Sequence, residues 1–396
     1  MKALTPSNGL EKRETSFCIP TNKRFNCIAS LRFVIPTLSD VEGEMSYEMN
    51  NGLLTVFLSP AIRGTQDAVR KPIESLLRSD ATFWMASQQV SDRGIVDALT
   101  DVRSARGERA YMLIESDYLY ERKPLPVESV WNGGGEREDH RQCFLALIRS
   151  GIKVSVDRME GALQHVNMLI SKDEDRFSAV ITSANLSPGS LDRHLNWGVS
   201  IADRGLCEAL LDAFKQAWDG NFRDVILDQT KPLNGDAFLC LKGGSRGQAV
   251  DMAVKAIEAA RESIHFAYFN LSNSSRVAEA LVAASKRGVR IAGVVDGDQQ
   301  AVSWDAVPLL RSSGVDARYY PGALTGAIGR MHYKMMVVDQ NTAHLATANA
   351  SQAAETSFEL GLTAHGNDLV GDPANYIEKE IERLIGNALI PEDNDG

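Results

Sequence analysis

The sequence predicts an α/β fold built from two similar halves, and three observations carry that prediction. Buried-strand and amphipathic-helix patterns alternate in the same order twice along the chain. Glycines recur at the same helix-to-strand turns. A histidine followed by a small set of polar residues returns at matching places in each half. Alternation of this kind implies mixed sheets flanked by helices.

The first half begins its pattern near residue 66. Residues 68–78 carry Val69, Ile73, Leu76 and Leu77 at helical spacing. A strand is predicted over 81–86 (ATFWMA), a helix over 92–106, and a strand over 109–115 (RAYMLIE). The second half repeats the order: a helix over 249–261, a strand over 263–269 (SIHFAYF), a helix over 275–287, and a strand over 289–296 (VRIAGVVD). Gly107 and Gly288 occupy the same turn. Further on, 144–154 runs against 307–318 with Gly151 and Gly314 in register. Repeats this long indicate two like domains packed about a pseudo-twofold axis.

The remaining stretches follow from composition. Residues 27–35 and 52–58 read as strands, with polar, acidic 39–51 as a loop between them and an edge-strand extension as the overall role. Residues 219–236 read as the joint between halves. The expected domains are therefore 1–51 (N-terminal extension), 52–228 (first repeat), 229–390 (second repeat) and 391–396 (acidic tail). Residues 117–141, with the glycine triplet WNGGGE, have no equal in the second half and suggest a mobile loop or lid.

Length and charge narrow the function. A chain of 396 residues suits two domains. No window approaches the roughly 18 apolar residues of a membrane span, and the first 24 residues show no secretory pattern. Five cysteines at wide spacing fit free thiols rather than a disulfide framework or a zinc site. A cytoplasmic chain is the expectation. The net charge of −10 argues against broad, nonspecific adhesion to polyanions while leaving a local basic groove open.

The chemistry concentrates at Met331–Asp339 (MHYKMMVVD). In an extended chain His332 and Lys334 share one face. A returning hairpin strand then brings Thr347 and Asn349 beside them. The first half offers His165, Asn167, Ser183 and Asn185 at the matching positions, and Glu359 aligns with Asn196. Two such half-sites supply two histidines to one phosphate, one to attack phosphorus and one to protonate the leaving oxygen. Lysine and amide donors stabilise the nonbridging oxygens. No metal-ligand cluster is visible in the sequence, and no cofactor is expected.

These residues resemble the phospholipase D superfamily of phosphodiesterases. His332, Lys334 and Asp339 match its HKD motif in full, and Thr347 and Asn349 fall at its downstream G-S-x-N element, with Ala346 in the glycine position. The first motif departs from the pattern: Asn167 stands where the family has lysine, and Lys172 where it has aspartate. The resemblance implies two phospholipase D-like α/β repeats with one site between them. It implies that Glu359 orients His165 and that Asn196 meets His332. His165 is then the nucleophile and His332 the general acid and base, with Asp339 largely structural.

Within that resemblance the sequence favours a metal-independent nuclease whose DNA or RNA is delivered by a partner ATPase or helicase, with a homodimer left open. The alternatives are a phospholipase D or phosphatidyl transferase, and a catalytically weakened phosphate-binding module. Trp197 and Tyr333 have the chemistry to stack on a base, although packing is the plainer role. Arg158, Arg193 and Arg330 suit either a phosphate backbone or a solvated surface. His140, His194, His265, His344 and His365 read as ordinary surface or core histidines.

Overall fold

A computed structural model describes residues 46–49, 54–59, 69–77, 81–106, 110–120, 137–157, 163–233, 236–300, 302–321, 329–366 and 373–389. The strand expected over 27–35, most of the 117–141 loop, Gly107, Arg158 and the acidic tail lie outside those residues.

The first sheet holds β1 (Ser46–Met49), β2 (Leu54–Leu58), β3 (Thr82–Ser87), β4 (Ala110–Glu115), β5 (Lys153–Asp157), β6 (Met168–Asp173), β7 (Arg176–Thr182) and β8 (Trp197–Ile201). Its strand order is β1-β2-β8-β7-β6-β3-β4-β5. The second holds β9 (Ile226–Pro232), β10 (Phe238–Gly244), β11 (Ser263–Tyr268), β12 (Arg290–Asp296), β13 (Asp316–Tyr320), β14 (Lys334–Val338), β15 (Thr342–Ala346) and β16 (Glu359–His365). Its order, β13-β12-β11-β14-β15-β16-β10-β9, is the first order read from the other edge. The internal repeat of the sequence is thus a repeat of topology. In each sheet three strands run parallel (β3, β4, β5 and β11, β12, β13) and the rest pair antiparallel.

Helices supply the crossovers that parallel strands require. The helices are α1 (Arg70–Leu77), α2 (Arg93–Arg106), α3 (Glu138–Arg149), α4 (Pro188–Asp192), α5 (Arg204–Trp218), α6 (Gln248–Ala259), α7 (Arg276–Lys286), α8 (Val307–Ser312) and α9 (Pro373–Gly386). Their starts are capped as the sequence allows: Ser275 accepts from Ala278 N at the head of α7, and Asp203 from Leu206 N at the head of α5. The turn after α7 is closed by Gly288 at φ +90°, a left-handed conformation that favours glycine.

Two expectations are corrected at the sheet edges. Residues 39–51 are not wholly loop, because Ser46–Met49 pairs with β2 as the outermost strand. The 219–236 joint likewise contains β9, which pairs along its whole length with β10. Both are edge strands, and β9 is largely exposed. An edge strand needs no apolar alternation, because its ladder partner rather than a buried face holds it in place.

Three apolar cores separate the layers. One fills the outer side of each sheet beneath its helices. The third joins the two halves: Met168, Ile181 and Trp197 from the first meet Met331, Tyr333, Met335 and Phe358 from the second, with α5 and α9 closing the sides. Trp197 and Tyr333 are fully buried in that core. Trp197 Nε1 donates to the Ala346 carbonyl at 3.2 Å, and the Tyr333 hydroxyl to the Ser59 carbonyl at 2.9 Å. Both rings therefore pack, and the base-stacking role is excluded for them.

Candidate active site at the seam of the two repeats

Each histidine lies in the extended approach to a strand, not within it: His165 precedes β6 and His332 precedes β14. What holds them is the opposite repeat. His165 N donates to the Phe358 carbonyl at 3.1 Å, and His332 N to the Leu195 carbonyl at 2.8 Å. The residues after those carbonyls are Asn196 and Glu359. The same backbone bridges therefore deliver each polar partner to the other half's histidine.

The side chains complete the exchange. His165 Nδ1 donates to Oε1 of Glu359 at 2.8 Å, because a carboxylate can only accept, and Nε2 is the ring nitrogen left outside that bond. Glu359 is itself held by the Thr347 hydroxyl, which donates to Oε2 at 2.6 Å. His332 Nδ1 lies 3.0 Å from Oδ1 of Asn196. That oxygen also accepts from the Ser183 hydroxyl, while Asn196 Nδ2 donates to the Ser190 carbonyl. Ser183 and Thr347 thus play matching parts in the two halves.

Lys334 is fully buried, and its ammonium lies 3.0 Å from Nε2 of His332 and 5.3 Å from the centre of the Phe269 ring. Burial lowers its pKa to about 7, against the pull of Glu359 and Asp296. His332 sits well below the usual histidine range, first through burial and then through the neighbouring Lys334. An anion beside Lys334 and His332 would oppose these shifts and favour the protonated form of both.

Asn167 lies at the lysine position of the first half, but its Oδ1 is occupied. It accepts from the Ser87 hydroxyl at 2.8 Å and from Gln88 N at 3.3 Å. Asn185 and Asn349, at matching positions, each keep a buried Oδ1 with no hydrogen-bond partner. Buried amides are ordinarily satisfied, and these two acceptors are left open to a donor. Asp339 turns away from this chemistry. Its carboxylate accepts from the backbone N–H groups of Arg261, Glu262 and Ser263 at 2.7–3.2 Å, clasping the turn before β11.

Sequence reasoning missed two acids. Glu115 ends β4 and accepts from Gln164 N at 2.6 Å; Asp296 ends β12 and accepts from Met331 N, also at 2.6 Å. Each thereby anchors the residue just before a site histidine. Both are buried, and burial raises Glu115 to about 7 and Asp296 to about 6. The repeat carried the signal, since an acid closes the second strand in both halves. His194 was also missed as a neighbour of the site: its ring centre lies 6.4 Å from that of His332. Away from the seam, the structure does gather donors distant in sequence: His265, Glu378 and Glu382 place theirs within 4.8 Å of one another, with His265 Nδ1 bonded to Glu378.

A family profile described as "Cardiolipin synthase, PLD-like domain" matches residues 73–218 and 253–385, one stretch in each repeat. The chain belongs to the phospholipase D superfamily. Among curated proteins, the mitochondrial cardiolipin hydrolase of Mus musculus is 27% identical over 135 residues, covering 33% of this chain and 55% of that protein. The human mitochondrial cardiolipin hydrolase is 28% identical over 140 residues, 34% of this chain and 50% of that protein. The chain thus spans about half the length of the curated relatives it matches. Among solved structures, the phosphatidylserine synthase of Haemophilus influenzae Rd KW20 superposes with a TM-score of 0.62 over 88% of this chain and 89% of that one, at 11% identity. The two-repeat fold is therefore shared over most of both chains. A polyphosphate kinase from Porphyromonas gingivalis shares it too (TM-score 0.54, 14% identity, 87% of this chain and 53% of that one). Superfamily folds host different chemistries, and substrate must be argued from the site.

Proposed function

We propose that this phospholipase D-family phosphodiesterase acts on glycerophospholipids, cleaving the headgroup diester and passing the phosphatidyl group to water or an alcohol. The observation that carries the reaction is the crossed pairing of His165 with Glu359 and His332 with Asn196. It gives the two rings unequal partners, hence unequal roles. His165 Nε2 forms a bond to phosphorus as the P–O bond to the headgroup breaks. His332, protonated in the presence of the anionic substrate, gives its proton to the departing oxygen. The acceptor hydroxyl then returns a proton to His332 as its oxygen bonds phosphorus and the P–N bond breaks. Lys334 is the donor to the nonbridging oxygens, and Asn185 and Asn349 would join it through their Nδ2 groups.

The lipid substrate is supported by the family profile and by the curated relatives, whose names refer to cardiolipin. The net charge of −10 also disfavours a long polyanion unless a partner delivers it. One experiment separates the lipid reading from the nuclease that sequence alone favoured. Purified protein is incubated with phosphatidylglycerol vesicles and, in parallel, with plasmid DNA. Headgroup release from the vesicles, lost in His165→Ala and His332→Ala, is expected. DNA cleavage without lipid turnover, or neither reaction, overturns the proposal.

A further inference from the structure

Besides Lys334 against Asn167 and Glu359 against Asn196, the two half-sites differ at one further pair of matched positions beside the seam. Two residues before Glu359 stands Ser357, and two before Asn196 stands His194. Ser357 is sealed in: its hydroxyl accepts from Leu163 N at 3.1 Å and donates to the Ala353 carbonyl at 2.8 Å. The Ser357 hydroxyl is thus fully engaged within the fold. His194 is different. Its backbone is fixed by bonds to the Gly189 carbonyl and from Asn196 Nδ2, yet its ring is half-buried and adjoins His332.

The surroundings fix the backbone here and keep the ring neutral. Gly329 presses on the backbone of Arg193 and His194 so closely that a Cβ there would sit 2.0 Å from the Arg193 carbonyl oxygen. Leu195 N donates to the Arg330 carbonyl across the same seam. Burial, followed by the charges of Arg330, Arg193 and Lys334, lowers the imidazole to about 4, so at neutral pH it has one donor and one acceptor nitrogen. Phe269 covers another side of His332, with ring centres 4.7 Å apart. The base that must deprotonate the acceptor is therefore flanked by one apolar ring and one hydrogen-bonding ring. The nucleophile's half has no second imidazole at the matching position.

We propose that His194 is the acceptor-binding residue of the site, hydrogen-bonding the hydroxyl of an incoming alcohol such as glycerol and so favouring phosphatidyl transfer over hydrolysis. The inference rests on the phosphatidyl-transfer reading given above and goes beyond it by assigning the acceptor a place. In the second step the alcohol's O–H proton goes to His332, its oxygen bonds phosphorus, and the bond to His165 breaks. His194 neither gains nor loses a proton. It holds the alcohol oxygen in line, an advantage that water, present at about 55 M and needing little orientation, does not require.

The test uses the full chain with phosphatidylethanolamine vesicles and added glycerol, and measures phosphatidylglycerol against phosphatidic acid in the same reaction. The ratio is internal, so any loss of total activity cancels. His194→Ala should lower the transfer-to-hydrolysis ratio about tenfold, equivalent to about 1.4 kcal/mol, as the acceptor loses one hydrogen bond and its orientation. His194→Gln, which keeps a donor and an acceptor, should restore most of it. An unchanged ratio in His194→Ala, or a wild-type protein that hydrolyses without transferring, overturns the assignment. Samples denatured in detergent at alkaline pH, where a P–N bond survives, are assayed in parallel for phosphohistidine. If the wild type forms no such intermediate, the phosphohistidine reaction itself fails and this inference falls with it.

Discussion

Replacing Lys334 with methionine is the perturbation whose consequences the structure specifies most fully. The ammonium is fully buried, faces the His332 ring, and has no counterpart in the first repeat, where Asn167 is engaged by Ser87 and Gln88. A charge-assisted hydrogen bond is worth about 1.5–3 kcal/mol. With no second lysine to share the phosphate charge, the upper end applies. A loss of about 3 kcal/mol corresponds to on the order of a hundredfold in kcat/KM. Stability should move the other way or not at all. Burial already disfavours the charge, as the lowered pKa of about 7 shows, and methionine fills similar space without it. Removing the cation also lifts one of the charges that depress His332. Steady-state headgroup release and thermal unfolding, measured on the same preparation, test both halves of the argument. A kcat/KM within threefold of wild type would refute the role given to Lys334. So would a drop in Tm large enough to explain the lost activity.

Lys334 must be charged to bind phosphate and loses its proton above about pH 7 in the free protein. The kcat/KM profile should therefore fall as pH rises through 7, while the limb in kcat lies higher because bound phosphate favours the cation; a flat profile between pH 7 and 9 contradicts this. Asn167→Lys supplies the missing ammonium beside a small cavity bordered by Ile73, Met85, Met168 and Leu186. It should raise kcat/KM about tenfold, by the same charge-assisted bond, and lower stability by about 1–2 kcal/mol as Ser87 and Gln88 lose their acceptor. Activity appearing only in this variant would identify the natural chain as a weakened phosphate-binding module. Asp339→Ala removes the acceptor for three backbone N–H groups. Denaturant unfolding should show a loss of about 1–3 kcal/mol, with catalysis changed far less than in Lys334→Met.

The sequence by itself determined the repeat, the α/β layers and the two histidines. Those signals are local: apolar periodicity, glycine at left-handed turns such as Gly288, and polar residues spaced along one extended segment. It also matched Glu359 with Asn196 by repeat position, while the pairing of Glu359 with His165 and of Asn196 with His332 was implied by the resemblance to the phospholipase D superfamily. Only the tertiary structure decided how those pairs are held. The bridges from His165 N to Phe358 and from His332 N to Leu195 join residues nearly two hundred and over one hundred positions apart, and no local pattern records them. The same is true of Glu115 and Asp296, whose carboxylates act on backbone N–H groups that any sequence would supply. β1 and β9 escaped notice because an edge strand is defined by its neighbour's hydrogen bonds and not by its own alternation. His194 passed for an ordinary histidine for a related reason. Its matched position in the other half is a serine, and its place beside His332 exists only when the two repeats close on each other.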